Sequence, residues 1–114
     1  MKRGLSDACN LFFLTLSNPT RLAILELLRQ RDMSVTEITT ALDQEQSMIS
    51  HNLTPLVRCG LVFVEQHWKE RIYSLNHETM EPLFQIMSDH FDQYCAKKAG
   101  EINCTTTTKK LANI

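Results

Sequence analysis

The chain has 114 residues, with 12 Lys and Arg against 13 Asp and Glu, a formal net charge of −1 at pH 7, and 43% hydrophobic residues. This composition is typical of a globular domain and excludes a disordered or low-complexity chain. The near-zero net charge argues against a purely electrostatic nucleic-acid binder, although it is compatible with a locally basic face. A domain of this length buries only about two-thirds of its unfolded surface, so a partner subunit could complete the core.

Membrane and secretion signals are not evident in the sequence. No stretch approaches the ~20 apolar residues of a membrane helix, and no small-residue cleavage site follows the basic N-terminus. The cysteines are widely spaced and form no CxxC pair, so we expect free thiols in a reducing cytoplasm. They are Cys9, Cys59, Cys95 and Cys104.

Hydrophobic periodicity and capping residues divide the chain into helices and one hairpin. After a first amphipathic helix, Asn18 is a suitable N-cap and Pro19 suits the first position of a second helix. Ser34 and Glu37 have the spacing of a capping box at the start of a short third helix. A fourth helix, two segments rich in β-branched and aromatic residues, and a long last helix follow. The predicted helices cover residues 5–16, 19–30, 34–42, 45–59 and 78–96, and the predicted strands cover 61–66 and 71–75.

Local signals also indicate where the fourth helix and the folded domain end. Gly60 is expected to follow the C-cap of that helix. Pro55 lies inside the helix, and because an interior proline costs roughly 3 kcal/mol we expect a kink or an early end near residues 51–54. The C-terminal residues have no periodicity and include four successive threonines. We therefore assign residues 1–96 to one domain and predict a disordered tail over residues 97–114.

The order of these elements predicts a mainly α domain with a small β-hairpin, in which the helices over residues 34–59 form a helix-turn-helix and the hairpin forms a wing. The second helix of such a unit enters the major groove of DNA, and its N-terminal residues reach base edges. Asn and Gln pair with adenine, Ser contacts bases or phosphates, and Lys and Arg suit phosphates or the minor groove. The predicted DNA-contacting residues are Thr36, Gln46, Ser47, Ser50, His51, Asn52, Lys69 and Arg71.

Three fragments, residues 16–25, 46–53 and 59–62, resemble, in that order, the second helix, the recognition helix and the start of the wing in the ArsR–SmtB family of arsenic- and zinc-responsive repressors. The resemblance covers about residues 5–95. It implies a winged helix-turn-helix that dimerises through its first and last helices, with Leu5, Phe12, Leu16, Met87, Phe91 and Tyr94 among the apolar residues of those helices. It also implies a homodimeric repressor that binds an imperfect palindrome in double-stranded DNA and is usually released by an inducer.

The metal sites of that family are not retained. The arsenic-type site has Cys-Val-Cys in the third helix, where this chain has Ser34, Val35 and Thr36. At the positions of the zinc-type site only His77 and His90 carry imidazoles. Because zinc normally takes four protein ligands or three with a water, we predict no metal and no other cofactor, and keep these two histidines as the remaining metal candidates.

The cysteines leave a thiol-based sensor open as an alternative. If the first and last helices pack together, Cys9 and Cys95 approach each other, and Cys104 lies on a tail that could reach either. Two thiols suit a disulfide switch and three suit arsenite. The simpler, structural interpretation is that these cysteines are small buried hydrophobic residues.

A second alternative is a winged helix that binds a protein and no specific DNA. It stays open because Arg58 is the one fixed cation in residues 34–60. An enzyme is not expected, since no nucleophile–base arrangement, paired carboxylates or Gly-rich phosphate loop stands out. The main prediction is a cytoplasmic, DNA-binding repressor.

Overall fold

A computed structural model of the chain describes residues 4–98 and 101–103, with side chains over residues 4–95. It divides into two compact units, one up to His77 and one from Glu78. The elements are α1 (Leu5–Leu16), α2 (Pro19–Gln30), β1 (Met33–Ser34), α3 (Val35–Leu42), α4 (Gln46–Arg58), β2 (Val62–His67), β3 (Glu70–Leu75), α5 (His77–Tyr94), β4 (Ala96–Lys98) and β5 (Glu101–Asn103).

The core of the first unit lies where α2, α3 and α4 contact one another and the base of a small sheet. Its side chains are aliphatic and almost fully buried, and each contributes about 1.5–3 kcal/mol by leaving water. The most deeply buried are Ile24, Leu25, Leu28, Ile38, Ile49, Leu53, Leu56, Leu61 and Val62. These residues recur every three or four positions along the helices, which confirms the helical periodicity of the sequence.

The sheet is antiparallel, with the strand order β1-β3-β2. The predicted hairpin is confirmed, in a register from Val62 opposite Leu75 to His67 opposite Glu70. Strand β1, which pairs Met33 with Tyr73, was not predicted because two residues are too few to show a period. Only Val62 of β2 is buried, so the outer part of the hairpin projects from the core as a wing.

Capping side chains begin two of the helices. The Asn18 side chain accepts a hydrogen bond of 3.0 Å from the Arg21 backbone N–H at the start of α2. At α3, the Ser34 hydroxyl accepts from the Glu37 backbone N–H (3.2 Å), and the Glu37 carboxylate accepts from the Ser34 backbone N–H (3.0 Å). The predicted N-cap and capping box are therefore confirmed.

Helix α4 continues past Pro55 and ends at Arg58, so the expected early end near residues 51–54 is wrong. The burial of Leu53 and Leu56 on either side of the proline holds both parts of the helix against the core and offsets the lost hydrogen bond. The termination at Gly60 is confirmed. Gly60 has φ +75° and its N–H donates to the Val57 carbonyl, while the Leu61 N–H donates to the Leu56 carbonyl, as in a Schellman motif.

In the second unit, α5 ends at Tyr94, two residues earlier than predicted, and β4 pairs antiparallel with β5. This pairing was not predicted. Residues 99–100 and 104–114 of the expected tail lie outside the described residues, and the domain boundary stays a prediction. No single helix in the described ranges is long and apolar enough to cross a membrane, whereas α1 and α2, bent by 81°, together have the length and composition of a broken span.

Candidate nucleic-acid interface

A concave surface, which encloses a cleft with a volume of about 420 Å³, lies between the start of α3, the N-terminal half of α4 and the outer wing. The residues that line it include five of the eight predicted DNA contacts: Thr36, Gln46, Ser50, Lys69 and Arg71. We call it the concave surface. All three predicted parts of the interface, the first helix of the helix-turn-helix, its second helix and the wing, therefore meet at one place.

The amphipathic pattern of α4 decides which of its side chains are exposed. Ile49 and Leu53 are 0% and 1% exposed and fix the helix to the core. Gln46, Ser47 and Ser50 are exposed at its N-terminal end. Because the core fixes this helix in place, its exposed hydrogen-bonding side chains can contact base edges. Ser47 does not line the concave surface, although it lies on the same exposed turn.

Asn52, one of the predicted DNA contacts, does not lie with these exposed residues. Its side chain is 6% exposed, accepts a hydrogen bond of 3.0 Å from Arg21 Nε and donates one of 3.0 Å to the Met48 carbonyl. Arg21 Nη1 also donates to the Thr15 carbonyl at 3.2 Å. Asn52 and Arg21 thus tie α4 to α2 and to the end of α1. Arg21 was not among the predicted site residues. The burial of Asn52 agrees with its position three residues after Ile49, which places it on the buried side of α4.

His51 is exposed but lines a second cleft of about 360 Å³, together with Arg21, Thr54, Pro55 and Arg58. Two arginines, with no carboxylate among the described lining residues, make this cleft locally basic. The basic surface beside α4 is therefore larger than the sequence indicated, because Arg21 comes from a different helix.

The wing ends in a two-residue connection, Trp68 and Lys69, between His67 and its partner Glu70. Trp68 has φ +60°, whereas Lys69 is not among the residues with positive φ. A positive φ at only the first central position is the type II′ pattern, which favours glycine there, and a bulky residue in such a conformation costs about 1–3 kcal/mol. The Gln66 side chain donates to the Trp68 carbonyl at 2.8 Å and holds the turn.

Trp68 is 86% exposed, and Lys69 Nζ lies 4.8 Å from the centroid of its ring. Just before the turn, His67 Nε2 lies 2.8 Å from Glu65 Oε1 in an exposed pair. The wing tip therefore presents an indole and an ammonium group together to solvent.

At the start of α3, an exposed ion pair of 2.9 Å joins Arg31 to Glu37. The pKa of the Glu37 carboxyl is lowered from its usual 4.5, first by the backbone N–H of Ser34 and then by the Arg31 guanidinium. The Glu37 carboxylate of the capping box, at the edge of the concave surface, is therefore ionised at neutral pH.

The structure describes most of the residues considered for an effector site. Within the described residues, no group of three or more His, Cys, Asp or Glu side chains is placed to hold a metal ion. His90 contacts the rings of Phe91 and Tyr94, with centroids 5.9 and 5.1 Å away, and His77 also has an interaction partner.

Cys9, Cys59 and Cys95 are partly exposed free thiols, while Cys104 lies outside the described residues. The Cys59 Sγ atom lies 3.3 Å from Thr15 Oγ1, which itself donates to the Leu11 carbonyl. This cysteine therefore links the end of α4 to α1.

Comparison with known proteins places this geometry in a family. Residues 18–63 match the family model described as bacterial regulatory protein, arsR family. The arsenical resistance operon repressor of Staphylococcus xylosus is 32% identical over 91 residues, which cover 75% of this chain and 88% of that protein. The regulator NmtR of Mycobacterium tuberculosis is 40% identical over 60 residues, which cover 53% of this chain and only half of that relative.

The comparison with solved structures indicates the same family. The crystal structure of Rv0081 from M. tuberculosis superposes with a TM-score of 0.73 at 31% identity, over 81% of this chain and 93% of that one. The solution structure of the homodimeric winged helix-turn-helix DNA-binding domain Mb0332 from Mycobacterium bovis gives 0.69 at 29% identity, over 82% and 90%. The chain therefore belongs to the ArsR family of winged helix-turn-helix transcriptional regulators.

Proposed function

We propose that this protein is a transcriptional repressor that binds an imperfect palindrome in double-stranded DNA as a homodimer and acts in the cytoplasm. The observation that carries the proposal is the concave surface, where the exposed polar end of α4 faces the same space as Lys69 and Arg71 of the wing, with Glu70 as the one acidic residue among the described residues that line it. The proposal accounts for the convergence of these groups from three elements on one surface.

In this proposal, α4 enters the major groove and Gln46, Ser50 and His51 contact base edges. Ser47 contacts a base or a phosphate, and Thr36, at the start of α3, contacts the DNA backbone. Lys69 and Arg71 hold the phosphates beside the wing. Asn52 is left out, because its side-chain amide is already engaged by Arg21 and Met48.

The first helix supports the homodimer. Its exposed apolar residues, Leu5, Leu11, Phe13 and Leu14, are 48–73% exposed in the isolated chain. Leu16, which the sequence analysis assigned to the dimer face, is only 8% exposed and lies in the core. An apolar surface of this kind is typical of an interface, and the related domain from M. bovis is described as homodimeric.

The test is binding of the purified chain to the duplex directly upstream of its own gene, with a scrambled duplex as control. Ser50→Ala is expected to reduce the preference between the two, because base contacts supply specificity. Lys69→Ala is expected to weaken both alike and to lower the salt dependence by about one unit. Ser6→Ala on exposed α1 is the matched serine control. Equal affinity of the wild type for both duplexes contradicts the proposal and favours a protein partner for the same surface.

Repeating the titration with dithiothreitol, an oxidant, zinc and arsenite identifies the inducer class. Loss of binding on oxidation that is absent in Cys9→Ser or Cys95→Ser would identify a thiol switch. Binding that none of the additives alters would indicate a regulator without a metal or thiol effector.

A further inference from the structure

The wing tip combines a strained backbone with an exposed aromatic ring. Trp68 occupies the first central position of the two-residue turn with φ +60°, a conformation that glycine adopts freely and a bulky side chain does not. The indole gains no burial in return, since it remains 86% exposed. Neither folding nor turn formation therefore explains a tryptophan at this position.

The surroundings of Trp68 indicate what it contacts. Lys69 Nζ lies 4.8 Å from the ring centroid, and Lys69 and Arg71 line the concave surface proposed above to face DNA. The ring therefore contacts one cation, Lys69, and lies next to the concave surface, which Glu70 also lines and which extends to the polar end of α4. A polyanion with an apolar interior, which is what a DNA groove offers, matches this combination better than an apolar protein surface.

The wing carries its tip well away from the core. Val62 is fully buried, and five residues further along β2, at about 3.4 Å per residue, His67 lies about 17 Å from the core. The tip residues Trp68 and Lys69 are therefore carried well beyond the core, where they can contact DNA next to the major groove that α4 would occupy.

We propose that Trp68 is a minor-groove wedge, whose indole enters the groove beside the α4 site while Lys69 and Arg71 hold the flanking phosphates. This inference rests on the proposed DNA-binding function and extends it, because Trp68 was not among the predicted contacts. Apolar side chains inserted in the minor groove partly unstack base steps and bend the duplex. The wedge therefore contributes affinity and a preference for deformable flanking sequence.

Because Trp68 is the only tryptophan of the chain, its fluorescence reports on this one position. In the free protein acrylamide should quench it efficiently, as expected for a ring that is 86% exposed. Saturation with the upstream duplex is expected to reduce the quenching constant by about threefold or more, since a groove shields the ring from solvent. An unchanged quenching constant in the saturated complex overturns the wedge.

The matched variants are Trp68→Gly and Phe63→Ala. Glycine suits the positive φ, so Trp68→Gly is expected to keep or raise Tm and still lose about tenfold in affinity for the duplex, with an unchanged salt dependence. Phe63, an aromatic residue near the base of the same wing and 52% exposed, should be replaceable by alanine within about twofold in affinity. Wild-type affinity in Trp68→Gly overturns the proposal, because a tryptophan that only shapes the turn would give that result.

Base analogues locate the wedge. Inosine for guanine and 2,6-diaminopurine for adenine change the minor-groove edge and leave the major-groove hydrogen-bonding groups in place. Each analogue replaces its base at one position of the duplex at a time. At some flanking positions we expect the replacement to change the affinity of the wild type and to leave the affinity of Trp68→Gly unchanged. Identical responses of the two proteins at every position overturn the minor-groove assignment.

The experiment separates the two proposals. Specific binding of the upstream duplex without protection of Trp68 overturns the wedge and leaves the repressor function in place. No specific binding by the wild type overturns the repressor function, and the wedge with it.

Discussion

Arg21 connects three parts of the first unit through separate groups. Its backbone N–H is held by the Asn18 side chain, Nε donates to the Asn52 side chain, and Nη1 donates to the Thr15 carbonyl. Hydrogen bonds between partly buried charged and polar groups resist rearrangement, because breaking one leaves an unsatisfied donor. Arg21 and Asn52 thus fix the angle at which α4 presents its exposed end.

This arrangement gives Asn52 a different mutational signature from Ser50. Asn52→Ala leaves Arg21 Nε without its partner and is expected to lower the free energy of unfolding by about 1–3 kcal/mol. The affinity of Asn52→Ala should fall for the upstream and scrambled duplexes alike. Ser50→Ala should have the unfolding free energy of the wild type and lose its preference for the upstream duplex over the scrambled one. Urea unfolding and duplex titrations of both variants check this. An Asn52→Ala protein of wild-type stability that lost only its preference would show that Asn52 reads a base.

The exposed residues of the candidate site could be predicted from the sequence where the apolar pattern of a single helix determines which side chains face solvent. Gln46 and Ser50 are exposed at the start of α4, as expected from its apolar pattern. Asn52 is buried because its spacing from Ile49 places it on the core side of α4, which its polarity alone did not indicate. Arg21 and Trp68 could not be assigned from local pattern, since the first acts through contacts with distant residues and the second depends on the backbone conformation of a turn.

At the scale of elements, capping and turn residues account for most boundaries. Asn18, the Ser34–Glu37 box and Gly60 were all recognisable, because each acts within a few residues of itself. The continuation of α4 through Pro55 was not predictable, since it depends on burial against other elements. The pairing of β1 with β3 was missed for the same reason, as it joins residues about 40 positions apart.

The conformation of Gly60 gives a testable cost at the end of α4. A Cβ atom added there would meet no atom within 4 Å, so the penalty of Gly60→Ala comes from φ +75° alone. We expect a loss of about 1–2 kcal/mol in the free energy of unfolding. Gly4→Ala is the matched control, because Gly4 also has open space but a φ of −68°. Because Gly4 is also the N-cap of α1, its replacement should cost some stability but clearly less than Gly60→Ala, and equal losses in the two variants, measured by urea unfolding, would refute the conformational argument.

The capping box of α3 makes stability depend on pH. The folded-state pKa of Glu37 lies below its usual 4.5, so its stabilising effect is fully present above that value and is lost as the pH falls through the lowered pKa. Glutamine can still accept from the Ser34 N–H, so Glu37→Gln removes the charge and keeps the geometry. The wild type is expected to be the more stable protein at pH 7, and the difference should disappear once the pH has fallen below the lowered pKa. A difference in unfolding free energy that is independent of pH would show that the carboxylate charge has no part in it.

At the scale of the whole molecule, symmetry connects the apolar surface of α1 to DNA recognition. In the proposed twofold dimer, two copies of α4 face two half-sites about one helical turn apart, which together form an imperfect palindrome. Binding the second half-site is then intramolecular, so the affinity for the whole operator greatly exceeds the affinity for one half-site. A single recognition helix with few fixed cations needs this gain, because its own contacts are limited.

Phe13, which is 60% exposed on α1, tests this connection. Phe13→Asp places a charge on the proposed interface and is expected to give a monomer in sedimentation velocity, because burying an unpaired carboxylate is costly. Affinity for a two-half-site duplex should fall by about tenfold or more, while affinity for a single half-site should stay unchanged. Leu22→Asp is the control, since Leu22 is an exposed leucine of α2 at 38% and should leave the dimer intact. A dimeric Phe13→Asp protein with wild-type operator affinity would place the interface away from this part of α1. The same loss for the single half-site would instead mean that Phe13 supports the fold of the monomer.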